Sequence, residues 1–307
     1  MHISKKSSTF ATEIMNRMEN EDKLSQWNRY VEQRGVYIAK ELHGIMFKNT
    51  PLVSKDVNLL LCLRGSARAK YDMQEINVAR HTLCIFMPGH VLESIDFTDD
   101  YTFAYLTISD ELFKDLKMNL FSHDYDKFNY EPACRLTDIQ AKRLLAMMEL
   151  LDAIASHDTK DLQLRRQMLL SQLAIGYEFV NYYRREQDKD WSGNRYKHLY
   201  SQFCDLVVEH YKENRNVNYY AQLIGYEPRY FAKIFRQSNR QGLTPLEWIQ
   251  QYVVTQAKLL MDTRPDLTIK ETAFELGFPT TANFCRYFKR SAGIYPQAYK
   301  EKGTPPA

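Results

Sequence analysis

Several features that define whole classes of protein are missing from this 307-residue sequence. No apolar run approaches the roughly 20 residues that a membrane-spanning helix needs, and no apolar signal-peptide core follows the polar start at residues 1–6. We therefore expect a cytoplasmic protein with no membrane partner. The cysteines stand singly without CxxC spacing, which predicts reduced core residues: Cys62, Cys84, Cys134, Cys204 and Cys285.

Motifs for catalysis and for bound cofactors are missing too. The sequence contains no Gly-rich phosphate loop, no nucleophile elbow and no paired-carboxylate motif. His43, His81 and His90 are dispersed, and only His90 and Glu93 are near neighbours, which is weak support for a metal site. We expect no catalytic residue, no cofactor and no metal, and hence a protein that is not an enzyme.

Positive charge is scarce in the first part of the chain and in excess in the last part. Residues 195–302 contain 16 Lys or Arg against 10 Asp or Glu, whereas residues 1–194 contain 25 against 28. This asymmetry is expected if only the C-terminal part meets a polyanion.

The region 36–108 is rich in short runs of β-branched and aromatic residues separated by turn signals such as Pro88-Gly89. This spacing predicts an antiparallel sandwich or barrel. The predicted strands are 36–47, 57–63, 67–71, 83–87, 91–97 and 101–108.

After Pro132 the hydrophobic pattern becomes helical. Thr137 and Gln140 form a capping-box pattern, and a second helix is predicted over about 162–185. The second helix has apolar residues on more than one face, so it packs either wholly within its domain or partly against a second subunit. Residues 184–194 are the best candidate for a linker.

Residues 196–300 are helical in pattern and contain an internal repeat with an offset of 52 residues. Segments 216–226 and 268–278 each have a capping residue, a helix with one small residue (Ala221 or Ala273), a glycine and an aromatic residue. Glycine in the left-handed conformation ends a helix, and alanine lets a second helix cross closely, as a helix-turn-helix requires. The second helices, 228–237 and 280–289, are called the reading helices below.

Each reading helix has aromatic residues four positions apart, which predicts a buried face and an opposite, outward face. No carboxylate occurs at 228–240 or 280–290, where it would face DNA phosphates. Arg and Asn can bind base edges bidentately, whereas Lys233, Arg236, Lys289 and Arg290 can equally bind only phosphates. The predicted DNA-binding residues are Arg229, Tyr230, Lys233, Arg236, Thr281, Asn283, Arg286, Lys289 and Arg290.

A third capping box, Thr244 to Glu247, opens a helix predicted over 245–262 between the two units. A helix of this length extends roughly 27 Å. A rod of that length can hold the reading helices near one DNA turn apart, about 34 Å, in successive major-groove segments.

The sequence resembles the AraC/XylS class of bacterial transcriptional regulators. The resemblance rests on residues 267–278, 283–290 and 293–299, with mild departures from the family signature at Thr272 and Lys300. It implies an α+β fold: an N-terminal cupin-like β-barrel with dimerisation helices, and an all-α C-terminal domain of seven helices with two helix-turn-helix units. It also implies a homodimer, a double-stranded promoter, RNA polymerase as a partner and a small-molecule effector. Activation is the expectation that goes with the family, although the residues leave the direction of regulation open.

The expected organisation is a sensory domain at 1–130, a helical dimerisation and linker segment at 131–190 and a DNA-binding domain at 196–302, with helix-turn-helix units at about 216–237 and 268–290. Such a barrel can hold a small ligand, although strand alternation does not say which face each side chain occupies. The candidates for lining it are Tyr37, His43, Phe47, Tyr71, His90 and Tyr105. Two alternatives remain: a cupin-type metal enzyme fused to a DNA-binding module, and a module whose tandem helices bind a protein.

Overall fold

The computed structural model describes residues 31–43, 52–72, 74–120, 131–157, 161–187, 195–238 and 242–303. The chain divides into an N-terminal unit, residues 1–71 and 75–193, and a C-terminal unit, residues 72–74 and 194–307. Apart from Gln74, the described strands lie in the N-terminal unit, and the described residues after 194 are helical, so the α+β class expected from the sequence is confirmed at this level. None of the described helices is long and apolar enough to cross a membrane.

The strands of the N-terminal unit form two antiparallel sheets. One has five strands in the order β1-β8-β3-β6-β9, and the other has four in the order β2-β7-β4-β5. The strands are β1 Val36–His43, β2 Leu52–Val53, β3 Val57–Arg64, β4 Ser66–Tyr71, β5 Gln74–Ala79, β6 Thr82–Phe86, β7 Val91–Phe97, β8 Thr102–Ile108 and β9 Ala133–Arg135.

Four strand predictions need correction. β2, β5 and β9 were not expected: β2 and β9 have only two and three residues, and the alternation of buried Ile76 and Val78 with exposed polar residues in β5 was overlooked. The first predicted strand, 36–47, ends within the described residues at His43, and its remainder lies outside them. The structure shows two sheets, and it does not show their closure into a barrel.

The five-stranded sheet is buried on both faces. Along β8, Phe103 and Tyr105 join the core between the two sheets, while Ala104 and Leu106 point to the opposite side. Successive side chains of a strand point to opposite faces, so full burial requires cover on both sides. Helices supply the cover on the outer side: α1 Asp110–Asn119, α2 Asp138–Ser156 and α3 Leu162–Gln187.

Helix α2 begins as predicted. Thr137 Oγ1 accepts from Gln140 N at 3.3 Å and Gln140 Oε1 accepts from Thr137 N at 2.8 Å, which completes the capping box. Helix α3 continues to Gln187, so the start of the predicted linker is helical and residues 188–194 lie outside the described part. Helix α1 was not predicted.

Seven helices occupy the described residues of the C-terminal unit, the number that the resemblance implies. They are α4 Arg195–His210, α5 Val217–Ile224, α6 Pro228–Ser238, α7 Pro245–Thr263, α8 Ile269–Glu275, α9 Thr281–Ala292 and α10 Pro296–Gly303.

Candidate nucleic-acid interface

The first helix-turn-helix consists of α5 and α6. Asn216 Oδ1 caps α5 by accepting from Asn218 N at 2.9 Å, and Gly225 ends the helix in the left-handed conformation with φ of 82°. Ala221 is fully buried, as close helix crossing requires. The predicted glycine stop and the small crossing residue are both confirmed.

The second unit consists of α8 and α9 and repeats this construction. Thr268 and Glu271 form the predicted capping box, with Thr268 N donating to Glu271 Oε2 at 2.7 Å. Gly277 has φ of 73°, and a Cβ added there would lie 2.0 Å from the carbonyl oxygen of Lys212. Glycine is therefore required at this turn for its conformation and also for its close approach to the backbone after α4.

An aromatic core holds the first reading helix. Phe203 of α4 is fully buried, and its ring centroid lies 5.4 Å from that of Phe231, 4.6 Å from that of Phe235 and 5.6 Å from that of Trp248. Such edge and tilted contacts contribute beyond the area they bury. The cluster turns Phe231 and Phe235 inward, as predicted, and orients the opposite face of α6 toward solvent.

A smaller aromatic core holds the second reading helix. Phe284 and Phe288 are buried, the Phe278 ring lies 5.3 Å from that of Phe284, and the Tyr299 ring lies 5.9 Å from that of Phe288. Phe278 follows the turn glycine, so the repeat places an aromatic residue where it fixes the second helix against the first.

The helix between the two units is a shared core element. Helix α7 contacts both reading helices, and its buried side chains include Trp248 near the start and Met261 near the end. At its C-terminal end, Asp262 Oδ2 accepts from the Tyr299 hydroxyl of α10 at 2.9 Å. Its capping box and its bounds agree with the sequence prediction, whereas the central part played by Trp248 was missed, although its i, i+4 spacing with Tyr252 was a usable signal.

Arg215 connects the end of α4 to the turn of the second unit. Its guanidinium lies 4.0 Å from the centroid of the Phe278 ring and donates to the carbonyl oxygens of Lys212, Leu276 and Gly277. Burial lowers the pKa of this guanidinium, although nearby tyrosines oppose the shift. Nothing in the local sequence pattern marked this residue, because its partners at the second turn, Leu276 and Gly277, lie 61 and 62 positions away.

The outward face of the first reading helix is exposed as predicted. The side chains of Arg229, Tyr230, Lys233 and Arg236 all point to solvent, and the Tyr230 ring stacks on that of Tyr226. This face therefore presents three cations and one aromatic ring, without a carboxylate on the helix itself.

The outward face of the second reading helix is more preorganised. Thr281 and Asn283 are half-buried, whereas Arg286, Lys289 and Arg290 are exposed. Arg286 Nη2 donates to Asn283 Oδ1 at 2.6 Å, and Lys289 Nζ lies 4.2 Å from the Tyr295 ring centroid. A guanidinium held by an amide in this way loses less side-chain freedom when it binds a further partner.

The two reading helices differ at their N-termini. The carboxylate of Glu227 accepts from Tyr230 N at 2.9 Å, and this bond together with one to Arg229 N lowers the pKa of Glu227. Thr280 caps the second helix with a neutral hydroxyl, accepting from Asn283 N at 3.2 Å. The sequence interpretation missed Glu227, which lies one residue before the carboxylate-free range, although its spacing from Tyr230 is that of a helix cap.

Comparison with known proteins identifies the region that contains both reading helices. Residues 220–302 match the family model described as "Helix-turn-helix domain". The chain is 27% identical over 104 residues to the HTH-type transcriptional regulator YpdC of Escherichia coli (strain K12), across 34% of this chain and 35% of that protein. It is 28% identical over 96 residues to the regulatory protein PocR of Salmonella typhimurium, across 31% of each. Residues 220–302 form an AraC-type helix-turn-helix domain.

The matched segment spans about a third of the length of these relatives. A crystal structure of ToxT from Vibrio cholerae O395 aligns with 89% of this chain and 100% of its own at 14% identity, with a TM-score of 0.43. The family resemblance is confirmed on residues 220–302.

Outside the AraC-type domain, four of the predicted effector residues have described side chains. Tyr37, Tyr71 and Tyr105 are buried in the core between the sheets, and the His90 ring stacks on Tyr71 with centroids 5.3 Å apart. The Tyr105 hydroxyl donates to Asn58 Oδ1 at 2.6 Å, and burial raises its pKa to about 12. The side chain of His43 and the whole of Phe47 lie outside the described residues.

The cysteines and possible metal ligands can also be placed. All five cysteines are free; Cys62, Cys84 and Cys204 are buried, as predicted for core residues, whereas Cys134 and Cys285 are half-buried, so the prediction is wrong for these two. Burial raises the pKa of the Cys62 thiol to about 11. Within the described ranges, no three His, Cys, Asp or Glu residues form a group that can hold a metal ion.

Proposed function

We propose that this chain is a sequence-specific transcriptional regulator that binds promoter DNA through both reading helices and responds to a small molecule in its N-terminal unit. One observation carries the proposal: two helix-turn-helix units share the core helix α7 and present exposed, carboxylate-free helix faces. The names of the curated relatives support transcriptional regulation by the AraC-type domain.

The outward faces of the two reading helices have different roles in DNA binding. Arg229, Lys233 and Arg236 make the first face the more cationic, which suits phosphate binding and affinity. The second face offers Thr281, Asn283 and Arg286, which suit base edges and discrimination. Disabling the first face should therefore reduce the salt dependence of binding more than disabling the second; equal salt slopes would contradict this division.

The regulator acts as a homodimer through helix α3. One side of α3 covers the sheet, while the other carries an exposed apolar stripe at helical spacing. Exposed apolar patches of this kind typically mark an interface. The stripe consists of Leu164, Met168, Ile175, Phe179 and Tyr182. Sedimentation of wild type as a dimer and of Phe179→Glu as a folded monomer would support this interface, and an unchanged dimer in the variant would contradict it.

The proposal includes a cupin-like sensory role for the N-terminal unit, which would bind the effector. It also includes contact between the regulator and RNA polymerase. Tyr37, Tyr71, His90 and Tyr105 remain candidates for ligand contact from the sequence. Their burial among other aromatic side chains also suits the plain core role.

Capture of genomic DNA tests the central claim. Purified protein is mixed with sheared genomic fragments, the retained DNA is sequenced, and the enriched sites are tested by gel shift over a range of salt. We expect a few enriched sites upstream of genes and binding that falls steeply with salt, because phosphate neutralisation releases counterions. Uniform recovery of fragments or salt-independent binding would contradict the proposal and favour the protein-binding alternative.

A further inference from the structure

A second candidate ligand site lies on the outer side of the five-stranded sheet. A cavity of about 60 Å³ lies between this sheet and helices α1, α2 and α3 of the N-terminal unit. One water molecule needs only about 10–15 Å³. The walls include Leu59 of β3, Ile85 of β6, Leu106 of β8, Met148 of α2 and Val180 of α3. This layer differs from the aromatic core between the two sheets, where the sequence interpretation places the effector.

Gly176 of α3 contributes to the cavity wall by having no side chain. A Cβ added at this residue meets no atom within 4 Å, so the space in front of it is open. Glycine inside a helix is less favourable than alanine, and no positive φ requires it here. Glycine at this position therefore leaves part of the cavity empty, although alanine would stabilise the helix more.

The chemistry of the walls selects the ligand. No charged side chain is among the described residues that line the cavity, and the polar groups come only from Gln172 and Tyr177. A charged ligand would lose its hydration there without gaining a partner. Met87, Met147 and Met148 supply flexible, polarisable walls that can adapt to ligands of different shape.

We propose that this cavity binds a small uncharged apolar molecule, such as one with a single aromatic ring, and that molecules of this class are the effectors of the regulator. The proposal rests on the proposed function. Helix α3 lines the cavity with Leu173, Gly176 and Val180, while Phe179 lies on its exposed stripe. A ligand bound between the sheet and α3 favours the helix position that it contacts best, and because the proposed dimer uses the same helix, the two equilibria are coupled.

Methyl NMR on the full-length protein tests the binding site. Protein labelled with ¹³C at the methionine methyls is titrated with toluene, and with benzoate as a charged analogue. We expect saturable shifts at Met87, Met147 and Met148 with toluene, none with benzoate, and no shift at Met118, which is 85% exposed. Equal shifts at Met118, no saturation, or equal binding of benzoate would overturn the site.

Two substitutions at one position provide the matched control. Gly176→Leu fills the cavity and should weaken toluene binding at least tenfold, while Gly176→Ala leaves most of the space and should bind like wild type. Toluene binding to a folded Gly176→Leu variant with wild-type affinity would overturn the assignment. If that variant does not fold, the wild-type comparison of toluene with benzoate still decides the question.

The effector role is tested separately from DNA binding. Promoter affinity without ligand tests the proposed function alone, and the toluene-dependent change in dimerisation and promoter affinity tests the coupling. We expect a shift of at least threefold in one of these equilibria for wild type and Gly176→Ala, and none for Gly176→Leu. Saturable binding without any such shift in wild type would overturn the effector role.

Discussion

The guanidinium of Arg215 lies 4.0 Å from the centre of the Phe278 ring and donates to backbone carbonyls on both sides of the contact. Arg215 follows α4, which packs in the core of the first helix-turn-helix, whereas Phe278 belongs to the turn of the second. The contact therefore fixes the orientation of the first helix-turn-helix relative to the second. The proposed entry of both reading helices into adjacent groove segments depends on this orientation.

Replacement of Arg215 tests this connection. Arg215→Ala should lower the free energy of unfolding of the C-terminal unit by about 2–4 kcal/mol, because it removes a cation-π contact and several charge-assisted hydrogen bonds. Urea unfolding followed by tryptophan fluorescence measures the change. The matched control is Arg264→Ala, which removes an exposed pair with Asp266 and should cost less than about 1 kcal/mol. Equal effects of the two substitutions would show that the Arg215 contact is unimportant.

The two turn glycines make a matched pair. Both have positive φ, but a Cβ at Gly225 meets nothing within 4 Å, whereas one at Gly277 would collide with the backbone of Lys212. Gly225→Ala should cost about 1–2 kcal/mol for the left-handed conformation alone. Gly277→Ala should cost at least about 2 kcal/mol more, because a backbone segment must also move. Thermal unfolding of both variants measures the difference, and similar stabilities would show that the close approach relaxes without cost.

The arginines of the reading faces should control DNA affinity. Arg229→Ala and Arg286→Ala should each weaken binding to an enriched promoter site by about 1–3 kcal/mol if they contact bases, with a smaller loss on random DNA. Competition gel shifts at fixed salt measure the difference. Lys142→Ala, at an exposed position on α2, is the control and should leave affinity unchanged. Promoter affinity that stays at the wild-type level in both arginine variants would contradict the assignment of these faces to DNA binding.

The carboxylate at the start of the first reading helix should weaken DNA binding. Glu227→Gln keeps a side-chain acceptor for Tyr230 N but removes a negative charge beside the expected phosphate path, so random-sequence affinity should rise about fivefold at low salt. Fluorescence anisotropy with random duplex DNA measures this. Glu75→Gln, which neutralises an exposed carboxylate on β5, serves as the control. Unchanged affinity for Glu227→Gln would mean that no phosphate approaches this helix end.

The capping boxes predict a pH dependence of stability. Hydrogen bonds to the backbone and hydroxyl of Thr244 and Thr268 lower the pKa of Glu247 and Glu271 below their ordinary value of 4.5. A carboxyl with a lowered folded-state pKa stabilises the fold fully above its unfolded pKa, and this contribution is lost as pH falls through the folded pKa. The melting temperature of the C-terminal unit should therefore decrease as the pH is lowered below about 4.5.

Glutamine provides the matched control, since it can form the same capping box without titrating. The double variant Glu247→Gln, Glu271→Gln should melt near the wild-type temperature at neutral pH and lose less stability than wild type under acid. An acid-induced loss equal to that of wild type would assign the pH dependence to other groups.

Local signals explain why most of the C-terminal unit was predictable. Capping residues, the glycine stops at Gly225 and Gly277, and aromatic residues spaced four apart act over a few positions, so they determine where helices begin, end and turn. The same local patterns predicted the exposed faces of both reading helices. In the N-terminal unit, alternation predicted the longer strands but missed β2 and β9, which are too short to alternate and are defined by pairing with β7 and β6. It also missed β5, whose alternation of Ile76 and Val78 with polar residues was a usable signal.

The sequence by itself determined the bounds of the helices in the two helix-turn-helix units, the helix between them and the cationic faces, because caps, turn glycines and helical periodicity act within one or two helical turns. Only the tertiary structure decided the Arg215–Phe278 contact, the close approach of Gly277 to Lys212 and the cavity at Gly176. Each of these joins residues that are far apart in the chain, and distant packing leaves no periodic signal in a single sequence. Hydrophobic spacing tells which side chains are buried, but the partner each one meets depends on how the elements assemble.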